Sequence, residues 1–119
     1  MKVAVIGASE NPARYSYLAI ERLLKYNHEV FAFGLRTGEV HGVNIQTSLE
    51  PIPEIDTVTL YVGPNHQAYW MTFIAALKPR RIIFNPGTEN LEFQKYFTDL
   101  GIKCEEACTL VLLQLNMFD

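Results

Sequence analysis

Two kinds of apolar segment alternate along the chain. Residues 3–6, 30–33, 58–62 and 81–84, with a shorter run at 102–104, are mostly too continuously apolar to have one wet face. That is the pattern of strands buried on both sides. Between them apolar residues recur at helical spacing: Ala19, Ile20, Leu23 and Leu24, then Trp70, Phe73, Ile74 and Leu77, then Phe93, Tyr96, Phe97 and Leu100. Asn65 and Asn90 stand where helix N-caps are expected, and Gly101 follows Leu100 where a left-handed residue ends a helix. A last apolar run, residues 109–115, is a candidate packing helix that periodicity alone does not settle.

Strand and helix alternating about four times implies a parallel sheet with helices on both faces, because parallel neighbours need crossover connections. The right-handed crossover rule then predicts an α/β fold: a three-layer, doubly wound, Rossmann-like parallel sheet of about five strands, forming a single domain over residues 1–119. One region breaks the alternation. Residues 34–53 carry no helical stripe and predict a loop or small hairpin plus one helical turn, in the place where such folds hold ligands.

Ligands of open parallel sheets lie beyond the carboxyl ends of the strands, near the point where strand order reverses. After the first strand, Gly7, Ala8 and Ser9 form a small-residue turn that lets backbone amides approach an anion at the start of the next helix, and the Ser9 hydroxyl adds a donor. Of the dinucleotide fingerprint Gly-x-Gly-x-x-Gly only Gly7 is present, since Ser9 and Pro12 occupy the other glycine positions. An NAD site also requires a carboxylate at the end of the second strand, whereas this chain reads Phe33, Gly34, Leu35, Arg36. Arg36 instead suits a phosphate on an adenosine ribose, as in NADP or the 3′-phosphate of coenzyme A. Strands three and four end in Val62, Gly63, Pro64 and in Asn85, Pro86, Gly87, turns sharp enough for backbone to line a ligand.

Catalytic candidates are few. His28 precedes strand two at the opposite end of the sheet and reads as a surface histidine, while His41 and His66 lie in the irregular region and at a helix start. The sequence holds no serine elbow, metal-ligand cluster or paired carboxylates. Cys108 reads as a small buried apolar residue near the crest, and Lys78, Arg80 and Arg81 as a solvated edge.

Length and composition sharpen this picture by exclusion. At 119 residues the chain is one domain long, too short for a dehydrogenase with its own substrate domain, a kinase or a barrel enzyme. Hydrophobic residues at 49% and charged residues at 19% suit a buried core. The net charge of -3 gives no reason to expect nucleic acid or an anionic membrane as partner. Two cysteines without a second ligand pair read as reduced thiols, and the lack of a signal-like or spanning segment makes a soluble cytoplasmic protein the expectation.

The run Gly7, Ala8, Ser9, Glu10, Asn11, Pro12, Ala13, Arg14, Tyr15, Ser16, Tyr17, followed by Gly38, Glu39, Val40, His41, Gly42 and by residues 48–56, resembles the small stand-alone coenzyme A-binding proteins. That family is related to the nucleotide-binding domain of the succinyl-CoA synthetase alpha subunit. The resemblance covers nearly the whole chain, including the glycine after strand four and Cys108. It implies a domain binding coenzyme A or acyl-CoA, with the pyrophosphate on the Gly7, Ala8, Ser9 loop. The adenosine and its 3′-phosphate would lie towards Phe33, Gly34, Arg36 and the Asn11, Arg14, Tyr17 region, with Val62, Gly63, Pro64, Asn85, Pro86 and Gly87 as walls. The chain departs from the family pattern after strand two, where Asn-Pro and a nearby Lys are common, and after strand four, where Gln and Gly are usual. The relatives' catalytic domain is absent, so the resemblance implies no enzymatic activity. Two alternatives remain open: an NADP-linked or redox accessory domain acting with a partner, and an interaction module without a nucleotide, for which the segment Leu115, Asn116, Met117, Phe118 is the candidate homodimer surface.

Overall fold

Val3 and Val5 face one core and Ala4 and Ile6 another, and all four are fully buried in the central strand β1 (Lys2–Ile6). A strand covered on both faces has no wet side, which explains its uninterrupted apolar sequence. The computed structural model describes residues 1–119. After β1 come α1 (Tyr15–Lys25), β2 (Glu29–Phe33), β3 (Gly38–Val40), β4 (Val43–Gln46) and β5 (Thr57–Leu60). A 3-10 helix (Pro64–Trp70) runs into α2 (Met71–Leu77), followed by β6 (Arg81–Phe84), α3 (Leu91–Asp99), β7 (Lys103–Glu106) and α4 (Thr109–Gln114).

The strands form one sheet in the order β3-β4-β2-β1-β5-β6-β7, parallel throughout except for the β3–β4 hairpin. On one face Ile20 and Leu23 of α1 and Leu113 of α4 close over Val3, Val5, Ala32 and Ile83. On the other, Phe73 and Ile74 of α2 and Phe97 of α3 close over Ile6, Phe33, Leu60 and Phe84. Each fully buried side chain of this size contributes about 1.5–3 kcal/mol, so the two cores fix the sheet between its helical layers. Strand order reverses between β1 and β5, and the crest of the sheet opens there.

The Rossmann-like α/β architecture is as the sequence predicts, but the sheet has seven strands instead of about five. The extra pair is the β3–β4 hairpin in the irregular region. The helical turn predicted after it does not form, because Pro51 and Pro53 lack amide protons and push their predecessors into extended conformations. Leu49 and Ile52 of that segment pack instead against the core under α2 and α3.

Among the local expectations, the Asn90 cap and the left-handed Gly101 hold, and others need correction. Asn90 caps α3, accepting a hydrogen bond from the Phe93 amide at 3.3 Å, and Gly101 is left-handed at φ +86°. Asn65 does not cap, since Pro64 opens the 3-10 helix and Gly63 flanks it without a side-chain bond. Tyr96 and Leu100 lie exposed, because α3 covers the β7 edge of the sheet, where little lies beyond it to pack against.

His28 is buried, in contact with the Met1 ammonium, Asp119 and the Phe118 ring. Arg81 is not a solvated edge. It is 4% exposed, with Nε donating to Thr57 Oγ1 at 3.2 Å, Nη2 donating to the Phe118 carbonyl, and the guanidinium lying 4.8 Å from the Phe118 ring centre. Burial pushes its pKa down from the ordinary arginine value. Phe118, part of the candidate homodimer segment, is thereby anchored in the chain's own core, while Leu115 and Met117 stay exposed.

Candidate functional site

The crest loops enclose an open cleft of about 1330 Å³, larger than the roughly 300–1,000 Å³ of pockets for drug-sized ligands. One half of its wall comes from the β1–α1 connection, the first turn of α1 and the β2–β3 loop. The other comes from the exits of β5 and β6 and the 3-10 helix.

The first half begins with Gly7. Its φ is +91°, and a Cβ there would stand 2.7 Å from the Tyr61 carbonyl oxygen, so only glycine lets β1 leave so close to β5. Gly34 plays a similar part beneath the loop, since a Cβ on it would lie 2.6 Å from the Ala8 carbonyl oxygen. The amides of Gly7 and Ala8 both donate to the Phe33 carbonyl at 2.9 Å. They are therefore committed to holding the loop against β2 and cannot face an anion. The free donors are the amides of Ser9 and Glu10 and those of Tyr15 and Ser16 in the first turn of α1, none of which bonds within the protein.

Ser9 Oγ accepts from the Asn11 amide at 3.1 Å and Asn11 Oδ1 accepts from the Ala13 amide at 3.0 Å, so these side chains shape the loop. The Ser9 hydroxyl proton remains available to a ligand. Arg14, at the N-cap position of α1, and Arg36, after β2, both line the cleft, and neither forms an ion pair. Glu10 also lines it. Its Oε2 accepts from the Glu39 amide at 3.0 Å, tying the loop to the hairpin.

In the second half Gln67, buried in the 3-10 helix, donates from Nε2 to the Val62 carbonyl at 2.9 Å and to the Thr88 carbonyl at 2.6 Å. This one side chain fixes the spacing of the β5 and β6 exits. Val62, Gly63, Pro86, Gly87 and Thr88 line the cleft together with Asn65, His66, Ala68, Tyr69 and Trp70. Tyr61 contributes to the wall, while its hydroxyl is buried without a hydrogen-bond partner. Burial pushes its pKa up to about 12, outweighing the nearby Thr59 and Thr109 hydroxyls.

Of the sequence candidates, Gly7, Ala8, Ser9, Asn11, Arg14, Arg36, Val62, Gly63, Pro86 and Gly87 come together around this cleft. The other five lie off its wall. Tyr17 packs on His41, with ring centres 5.5 Å apart, and holds the hairpin on α1. Phe33 is wholly buried against Phe73, and Gly34 is buried beneath the loop. Pro64 is exposed elsewhere. Asn85, 1% exposed, donates to Thr59 Oγ1 at 2.7 Å and to the Leu60 carbonyl at 2.9 Å. Its Oδ1 accepts from the Thr109 amide at 2.9 Å, so it caps α4 from inside the core.

Sequence reasoning missed Glu10, Tyr15, Leu35, Tyr69 and Trp70 as wall residues. Tyr15 and Leu35 flank named candidates, so adjacency was their available signal. Tyr69 and Trp70 gave none, because Trp70 belongs to the stripe that packs under α2. Cys108 is half-buried at the N-cap of α4 and does not line the cleft, and burial pushes the Cys104 thiol up.

The cleft at the strand-order reversal, with amide donors and unpaired guanidinium groups on one side of it, lies at the crest of a Rossmann-like α/β domain. Residues 1–114 match the family described as CoA binding domain, and the chain belongs to that family. It is similar to a crystal structure of an uncharacterized protein, with 43% identity, a TM-score of 0.96 and coverage of 98% of this chain and 97% of the other. It shares its fold with a protein from Thermus thermophilus at 22% identity and a TM-score of 0.83, covering 98% and 90% of the two chains. The same fold recurs in the dinucleotide-forming acetyl-coenzyme A synthetase 1 of Ca. Korarchaeum cryptofilum, solved with phosphate and ADP. There the TM-score is 0.72 at 15% identity, covering 89% of this chain and 25% of the synthetase. A search of curated proteins finds no match. No helix is long and apolar enough to cross a membrane.

Proposed function

We propose that the chain is a non-catalytic binding module for coenzyme A or acyl-CoA. The observation that carries this reading is the pair of unpaired guanidinium groups, Arg14 and Arg36, in a crest cleft of a chain whose family is the CoA binding domain. In this reading the pyrophosphate lies on the Gly7, Ala8, Ser9 loop, held by the Ser9 and Glu10 amides and the first turn of α1. The adenosine lies towards the end of β2, with Arg36 on the 3′-phosphate. The wall holds neither a carboxylate pair nor a cluster of metal-ligating side chains, and His66 has no partner that would orient it, which favours binding over catalysis.

Titration calorimetry with coenzyme A tests the reading: saturable binding is expected, and a folded protein that binds nothing at millimolar ligand overturns it. Arg36→Ala is expected to weaken coenzyme A by about tenfold or more relative to dephospho-coenzyme A, since a charge-assisted hydrogen bond contributes about 1.5–3 kcal/mol. Equal losses for both ligands would remove Arg36 from the 3′-phosphate. The same arginine favours a second reading, NADP held by its 2′-phosphate. Thermal shifts separate the two, because a ligand at 100 times its Kd adds about 2.7 kcal/mol of stability, and a larger shift with NADP than with coenzyme A would favour the second.

A further inference from the structure

The two halves of the cleft differ in chemistry. Its charged side chains, Glu10, Arg14 and Arg36, all belong to the half built by the β1–α1 and β2–β3 connections. The half over β5 and β6 carries no formal charge. Its wall is Val62, Ala68, Tyr69, Trp70 and Pro86, interrupted by the neutral polar side chains of Asn65, His66 and Thr88 and by peptide groups at Gly63 and Gly87, where an added Cβ would meet nothing within 4 Å. Tyr69 is 60% exposed, and its ring meets the buried Trp70 edge-on at 5.2 Å between centres, so Tyr69 is the aromatic face the cleft presents and Trp70 backs it from the core. An uncharged wall with an exposed aromatic face, continuous with an anion site, fits a ligand that is polyanionic at one end and apolar at the other.

Resting on the coenzyme A reading, we propose that the site selects acyl-CoA thioesters with a medium apolar chain over free coenzyme A. The nucleotide diphosphate occupies the charged half. The amide-linked arm crosses the open peptide groups at Gly63 and Gly87, and the acyl chain lies against Tyr69 and its neighbours. Free coenzyme A leaves that wall wet. Each methylene moved from water onto it adds to affinity, by up to about fourfold when fully buried and by roughly twofold on an open wall.

Calorimetry with coenzyme A, acetyl-CoA and octanoyl-CoA tests this on the full chain, with Tyr69→Ser as the variant. Tyr69 is exposed, so the substitution leaves the core intact. Octanoyl-CoA is expected to bind at least about tenfold more tightly than acetyl-CoA, and Tyr69→Ser to remove most of that gain. Equal binding of coenzyme A and octanoyl-CoA overturns the selectivity while the coenzyme A reading stands. A Tyr69→Ser variant that weakens both ligands equally also overturns it, since the ring would then serve the arm common to both. Binding of neither ligand overturns both readings together.

Discussion

Gly7 and Gly87 share a φ of +91° but not their surroundings, and that contrast measures what holds the cleft in shape. In Gly87→Ala the new Cβ meets nothing within 4 Å, so the cost is dihedral alone, about 1–2 kcal/mol for a left-handed L-residue. In Gly7→Ala the same dihedral cost applies, and the Cβ also stands 2.7 Å from the Tyr61 carbonyl oxygen, 2.9 Å from its carbon and 2.9 Å from Val62 Cγ2. Two of those atoms are backbone, and the Tyr61 amide donates to the Ile6 carbonyl at 2.8 Å, so the obstacle cannot turn aside as a flexible side chain would. Relief requires β1 and β5 to part where the sheet opens, an overpacking cost of about 1–3 kcal/mol more. The expected losses are therefore about 1–2 kcal/mol for Gly87→Ala and about 2–5 kcal/mol for Gly7→Ala. At roughly 4 °C per kcal/mol for a domain of this size, their melting temperatures should differ by about 4–12 °C. Urea unfolding of both variants at one pH gives the two free energies. Equal losses would refute the argument that Gly7 is required for close approach, leaving only its dihedral.

Three further outcomes follow from the same geometry. Asn85→Ala is expected to cost about 2–4 kcal/mol in urea unfolding, because it strands the Thr109 amide and the Leu60 carbonyl in the interior, and a loss under about 1 kcal/mol would show that the network is dispensable. Burial, and after it the Met1 ammonium, hold the His28 imidazole below its ordinary 6.5 while Asp119 pulls the other way. The unfolded chain thus binds more protons below pH 6.5, so stability is complete above that pH and falls as pH drops through the folded value, and His28→Gln should flatten this part of a stability–pH curve. Glu10→Gln keeps an acceptor for the Glu39 amide but removes a charge. At about 0.5 kcal/mol per phosphate charge some 8 Å away in water, it should tighten coenzyme A about two- to fivefold at low salt and not at about 1 M, and weaker binding would refute the charge argument.

The sequence made the layers legible because each rested on a period. Residues 3–6 and 82–84 are apolar at every position, and the spacing of Ile20 to Leu23 and of Phe73 to Leu77 needs no tertiary context to read as helix. The hairpin was legible only as an interruption, since β3 and β4 are three and four residues long and offer no alternation to count. Within the site, backbone position was readable where a glycine ended a strand. Side-chain direction was not. Asn85 sits at a strand end like Gly7, yet it turns inward to cap α4, a bond made across 24 residues of sequence. Arg81 follows Arg80 in a basic cluster, but strand alternation sends its guanidinium under Phe118 while Arg80 pairs with Asp56 in the open, Nε to Oδ2 at 3.0 Å.

The hairpin links fold to site most directly. A parallel β2–β4 connection normally demands a helix over the face that α1 covers. Here β3 crosses to the far edge and returns antiparallel, and Val40 joins the core beneath α1 in the helix's place. Two polar contacts fix it there: His41 Nε2 with Glu21 Oε2 at 2.9 Å on α1, and Glu10 Oε2 with the Glu39 amide on the crest loop. Because Arg36 lies in the short loop between β2 and β3, those anchors also set where its guanidinium stands. A helix in this position would begin soon after β2 and draw residues 35–37 into its first turn. The hairpin instead leaves Leu35, 76% exposed, and Arg36 on the cleft wall, so the segment that breaks the alternation of the chain also supplies a second positive charge to the half that holds Arg14, in an acidic protein.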